Sequence, residues 1–153
     1  MALPRYIAQV GAKKMSLTLG IIKPDAVQSG KAGSILAHLE AAGFRVRALQ
    51  MTRMNAVQAG AFYSVHKERP FFDSLVSFMT SGAVIPMVLE AEDAVVKLRS
   101  VIGATDPEEA EEGTVRKLFA ESKERNAIHA SDSDENASAE ITFFFSAHQR
   151  LGL

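Results

Sequence analysis

The chain has 153 residues, 47% hydrophobic and 23% charged, enough apolar surface for one compact core. A formal net charge of −1 offers no global basic field for nucleic acid, and the lack of cysteine excludes disulfides and thiolate metal sites. No apolar run reaches membrane-spanning length, and MALPRYIAQVGAKK lacks the long apolar stretch of a secretory leader, so a cytoplasmic chain is expected.

Residues 1–14 read as a loose extension, and residues 15–153 as one domain. "LTLGIIK", 17–23, reads as a buried strand ending at Lys23 and stopped by Pro24. "KAGSILAHLEAAG", 31–43, sets Ile35, Leu36 and Leu39 at helical spacing and stops at Gly43. "FRVRALQM" alternates from Phe44 as a half-buried strand does. Asn55 followed by Gln58 predicts a capped helix running toward His66. Pro70 is a favoured first helical position, and Phe72, Leu75, Val76 and Met79 then form one apolar stripe. "AVIPMVLE", 83–90, predicts a third strand, placed at an edge or made irregular by Pro86.

Val95, Leu98 and Ile102 mark a helix that ends at Gly103. From Ala104 to Gly113 runs an acidic loop, "DPEEAEE" at its centre, read as a solvated outer segment. A short helical turn around Val115 to Phe119, a short strand through Ile128, and a helix from about Asp134 complete the pattern. That last helix carries Ala137, Ile141 and Phe144 inward. Uneven alternation with two adjacent helices predicts an α+β sandwich rather than a doubly wound sheet.

Among four histidines, His38 lies mid-helix, His148 lies near the tail, and His66 reads as a solvated helix end beside Lys67, Glu68 and Arg69. His129 differs, because it ends a strand just before a loop and a helix, where a side chain can face a cleft. Two helical turns could return Glu140 alongside it. A carboxylate on one imidazole nitrogen fixes the tautomer and leaves the other nitrogen nucleophilic. Basic residues recur at element ends: Lys23, Lys67, Arg69, Arg99 and Arg116. Together they suit a phosphate clamp. Neither a P-loop nor a dinucleotide fingerprint is present, so such a site must be assembled from side chains. Phe71 precedes the striped Phe72 and is left more exposed, a platform for a flat ring such as a nucleobase.

"GIIKPDAV", "HKERPFF", "FMTSG", "GATDPEEAEEGTVR" and "NAIHASDS" resemble, in order, the landmarks of the nucleoside diphosphate kinase family. The likeness runs from about Leu17 to Phe145. It implies a ferredoxin-like α+β fold, an antiparallel sheet covered by helices, and self-association as a homotetramer or homohexamer. The implied reaction is ping-pong transfer of the γ-phosphate from a nucleoside triphosphate, with ATP as donor, to a nucleoside diphosphate of any base. Mg²⁺ would ride mainly on the phosphates rather than on side chains. On this likeness His129 is the nucleophile, phosphorylated at its pros nitrogen, and Glu140 orients it, with Lys23, Tyr63 and Ser131 completing the catalytic set. Lys23, Phe71, Arg99, Thr105, Arg116 and Asn126 would hold the nucleotide.

Two positions depart from the family pattern: Ala130 replaces the usual glycine, and Ala83 stands where proline is common. The expectation at Ala130 is a negative φ, with the family's glycine reflecting close packing. A catalytically silent relative would be expected to lose the histidine or its clamp. An RNA-binding module would need a basic surface and an aromatic pair on a strand.

Overall fold

The computed structural model describes residues 14–150. The extension expected over residues 1–14 therefore lies outside the described residues except for Lys14, whose carbonyl accepts the Asp93 N–H at 3.1 Å. Four strands form one antiparallel sheet: β1 (Met15–Ile22), β2 (Arg45–Leu49), β3 (Ile85–Glu92) and β4 (Ile128–Ala130), in the order β2-β3-β1-β4. Eight helices complete the described chain: α1 (Pro24–Gln28), α2 (Ala32–Ala41), α3 (Ala56–Phe62), α4 (Phe72–Met79), α5 (Ala94–Ile102), α6 (Val115–Phe119), α7 (Asp134–Phe144) and α8 (Ala147–Arg150). A 3₁₀ turn at Ser64–His66 links α3 toward α4.

Both faces of the sheet are covered, which explains why β1 and β3 are nearly continuous apolar runs. On one face Ile22, Met87, Leu89 and Ala91 meet Ile35 and Leu39 of α2 and Leu98 and Ile102 of α5. On the other, Leu19, Ile21 and Val88 meet Ala59 of α3, Met79 of α4, Ile141 of α7 and Phe145. Fully burying a side chain of this size contributes about 1.5–3 kcal/mol, so the sheet is anchored from both sides. This is the expected α+β ferredoxin-like class. Among the described residues no helix is long and apolar enough to cross a membrane.

Of the two alternatives offered for the Pro86 strand, the edge is corrected: β3 is central, paired to β1 and β2 at once, and its ladder with β2 shifts register between Val46 and Ala48. The proline sits near the start of β3, and antiparallel pairing continues beyond it at the Thr52–Val84 bridge. Its carbonyl accepts the Gln50 N–H at 3.2 Å. In a strand the nitrogen and carbonyl of one residue face the same neighbour, so the missing donor faces the end of β2 and costs β1 nothing. The Asn55–Gln58 capping box is formed as expected. α4 begins at Phe72 rather than Pro70, leaving Phe71 in the preceding turn.

Candidate active site

His129 occupies the middle of β4, opposite Ile21 of β1. Its neighbours Ile128 and Ala130 are buried in the α2/α5 side of the core, so the strand's period of two turns the imidazole to the other face. There Phe62 lies edge-on with its ring centroid 5.3 Å away and Tyr63 at 6.0 Å. Nε2 of His129 meets the Glu140 carboxylate. The carboxylate arrives on α7, whose start is fixed by Ser133 accepting the Asn136 N–H at 3.1 Å and which is seated by Ile141 on the sheet. Burial lowers the pKa of His129, although the Glu140 hydrogen bond opposes it; Lys23 and Arg116 lower it further. A neutral ring donates Nε2–H to Glu140 and keeps a lone pair on Nδ1.

Lys23 follows β1 and is buried; its Nζ donates to Asn126 Oδ1 at 2.8 Å. Burial, then the charge of Arg116, lower its pKa to about 8, against the pull of Asp25 and Glu124. Asn126 donates in turn to the carbonyls of Thr105 (3.3 Å) and Lys123 (3.1 Å). Arg116, in the first turn of α6, donates to Ile128 O at 2.8 Å and Gly103 O at 3.1 Å. Its pKa is pulled down to about 10 by burial and by Arg99. Arg99 reaches Ala130 O at 3.4 Å. Gly103, at φ 89°, admits this packing because a Cβ there would meet Thr114 Oγ1 at 2.6 Å.

Between Asn126 and His129 the backbone makes a turn that the sequence does not announce. Ala127 has φ 73°, and the Ile128 N–H bonds back to Asn126 O at 2.9 Å, a γ-turn of the strained hand. Two long-range bonds hold it: the Ala127 N–H donates to Asp25 Oδ2 at 3.1 Å, and Ala127 O accepts the Lys23 N–H at 2.9 Å. Ala130 is not among the positive-φ residues; in the described chain those other than glycine are Asp93 and Ala127. The expected negative φ at Ala130 is met, and the strain lies three residues earlier. Reading the sequence alone missed both Ala127 and Asp25.

Phe71 is 50% exposed, with His66 at 5.4 Å between centroids. His66 stacks on Tyr63 at 6.5 Å, so an aromatic path runs from His129 through Tyr63 and His66 to Phe71, and His66 is more than a solvated helix end. The Tyr63 hydroxyl is buried without a hydrogen-bond partner, and burial pushes its pKa up. The Ser131 hydroxyl is directed to Leu19 O at 3.4 Å, toward β1. A cavity of about 450 Å³ is lined by Arg99, Thr105 and Arg116 together with Glu109 and Glu111. The acidic loop thus reaches the edge of the clamp instead of facing wholly outward.

An imidazole held by a carboxylate, next to cations whose hydrogen bonds go to neutral carbonyls, is machinery for handling phosphate groups, and it defines a phosphotransferase. A sequence profile described as nucleoside diphosphate kinase matches residues 16–150. The nucleoside diphosphate kinase of Chlorobium chlorochromatii is 56% identical over 135 residues, spanning 88% of this chain and 96% of that protein. That of Maricaulis maris is 54% identical over the same shares. The Aquifex aeolicus nucleoside diphosphate kinase structure superposes with a TM-score of 0.87 at 48% identity, covering 89% of this chain and 99% of that one. A Halobacterium salinarum nucleoside diphosphate kinase solved in complex with CDP gives 0.84 at 37% identity, covering 89% and 91%. The chain belongs to the nucleoside diphosphate kinase family, and phosphate transfer between nucleotides is its activity.

Proposed function

We propose that the transfer runs in two halves through a phosphate carried on Nδ1 of His129. The observation behind this is the His129–Glu140 contact, which occupies Nε2 and leaves Nδ1 open. In the first half the Nδ1 lone pair attacks the γ-phosphorus of a triphosphate. The bond from phosphorus to the bridging oxygen breaks, and the diphosphate leaves. In the second half the terminal oxygen of another diphosphate attacks the same phosphorus, and the N–P bond breaks. Glu140 keeps the Nε2 proton in place and stabilises the positive charge that the N–P bond at Nδ1 puts on the ring. Lys23, Arg99 and Arg116 surround the transferring oxygens, where preorganised charge is most effective. Tyr63 offers its unpartnered hydroxyl, Asn126 and Thr105 fix the clamp to the sugar-phosphate, and Ser131 holds β4 against β1.

The clamp's side chains are lysine, arginine, asparagine and threonine, which fit Mg²⁺ held by phosphate oxygens rather than by a carboxylate cage. When bound there, Mg²⁺ neutralises phosphate charge. Base tolerance follows from Phe71, since every base has a π-face, and the CDP-bound Halobacterium relative supports acceptance of pyrimidines. Self-association as a homotetramer or homohexamer and a cytoplasmic location belong to the same reading. Among the described residues β2 is paired on one side only, which leaves backbone groups for a second copy.

Incubation with γ-labelled ATP and Mg²⁺ should yield an acid-labile, alkali-stable phosphoenzyme that passes its label to an unrelated diphosphate. His129→Ala should abolish the label. Finding it on Ser131 or His66 would overturn the assignment.

A further inference from the structure

Asp25 is 2% exposed, and its two carboxylate oxygens are treated unequally. Oδ2 accepts the Ala127 N–H at 3.1 Å, across 102 residues of chain, whereas Oδ1 is buried without a partner. A neutral side chain would be easier to bury there, so packing alone does not account for a carboxylate. Two neighbours do. One is the left-handed turn at Ala127, which sits between Asn126 and His129. The other is Lys23, two residues earlier in the chain, whose own N–H closes the same turn through Ala127 O.

We propose that Asp25 is a positioning residue for the phosphate transfer, pinning the Ala127 turn that aims His129 and to which the backbone of Lys23 is also bonded. This rests on His129 being the nucleophile. The groups facing Lys23 are Asp25 on α1, Arg116 on α6, Glu124 and the Asn126 amide in the loop before β4, the Phe78 ring on α4 at 6.0 Å, and His129 on β4, whose own pKa Lys23 helps lower. Burial and Arg116 draw the lysine's pKa down; Asp25 and, after it, Glu124 draw it up. Asp25 is the one of these two carboxylates that also bonds to the turn, so a single side chain couples the nucleophile's backbone to the clamp's lysine.

The test uses the full chain with Asp25→Asn and Asp25→Ala, measuring phosphorylation by ATP and Mg²⁺ together with the pH profile of kcat/KM. Asparagine keeps an acceptor for the Ala127 N–H but not the charge. It should lose only a few-fold in kcat at neutral pH, while the alkaline limb moves acidward by about one pH unit. Alanine loses both and should drop kcat by about 10²-fold, the effect of displacing a reacting group by roughly 1 Å. An unmoved alkaline limb in Asp25→Asn, or equal kcat in the two variants, overturns the proposal. Should neither variant fold, amide hydrogen exchange in the unsubstituted protein decides: Ala127 should exchange slowly, and exchange as fast as an exposed loop amide overturns it. Wild-type labelling at His129 is scored separately, so a failed nucleophile is told apart from a failed Asp25.

Discussion

Replacing Ala127 with glycine separates the strain of the γ-turn from the packing around it. At φ 73° a residue with a Cβ bears roughly 1–2 kcal/mol that glycine does not. Against that relief, the fully buried methyl is worth about 0.8 kcal/mol. The greater freedom of glycine in the unfolded chain costs about 0.4–1 kcal/mol more. These opposing effects nearly cancel, leaving a net change within about 0.8 kcal/mol of zero and a Tm shift of no more than about 3 °C. Ala137→Gly is the matched control, equally buried but in the body of α7. It gains no strain relief and loses both the methyl and helix propensity, about 1.7 kcal/mol or about 5 °C. Urea titrations at one protein concentration, compared by midpoint at unchanged slope, make the measurement. If Ala127→Gly falls as far as Ala137→Gly, the backbone at residue 127 is not strained and the reasoning fails.

Glu140→Gln should slow phosphorylation by about 10²-fold in rapid-quench experiments, because an amide can donate to Nε2 and move the ring proton onto Nδ1; an unchanged rate would contradict the tautomer assignment. Lys23, with its pKa lowered to about 8, should give kcat/KM an alkaline limb near that pH as the clamp loses charge. Because the unfolded lysine still binds a proton between about 8 and its ordinary 10.5, the unliganded protein should gain stability across that window as pH rises, a gain absent in Lys23→Met. Burial of His129 places the acid limb below its ordinary value of 6.5, and a limb above 6.5 would count against a neutral nucleophile. Phe71→Ala should raise KM about tenfold for purine and pyrimidine diphosphates alike, as loss of roughly 1–3 kcal/mol of stacking requires; a loss confined to one base would point to edge recognition.

Elements whose signals are local were legible in the sequence. The Asn55–Gln58 box, the stop at Gly103 and the start of α7 near Asp134 each depend on residues within one turn, and each stands where expected. Pro86 misled because its cost depends on which neighbour its nitrogen faces, a fact of register between segments far apart in sequence. The pairing of His129 with Glu140 was legible from helical geometry; of the five cations at element ends, Lys23, Arg99 and Arg116 gather near it, whereas Lys67 and Arg69 stay exposed in the turn before α4. The turn at Ala127 was not, since nothing in "NAI" asks for a left-handed residue. It is imposed by Asp25 and by Lys23, the latter through its backbone, both more than a hundred residues away.

Lys23, Arg99 and Arg116 make no hydrogen bond to a carboxylate among the described residues; their partners are an amide and backbone carbonyls. Their mutual repulsion is felt directly, since Arg116 lowers Lys23 and Arg99 lowers Arg116. On the proposed reading a nucleotide's phosphates add the counter-charge that Asp25 and Glu124 supply only in part, and their arrival should draw a proton onto whatever fraction of Lys23 is neutral. Calorimetric titration near pH 8 should then show a binding heat that varies with the ionisation enthalpy of the buffer, and at pH 6, where Lys23 is already charged, that contribution from Lys23 should vanish.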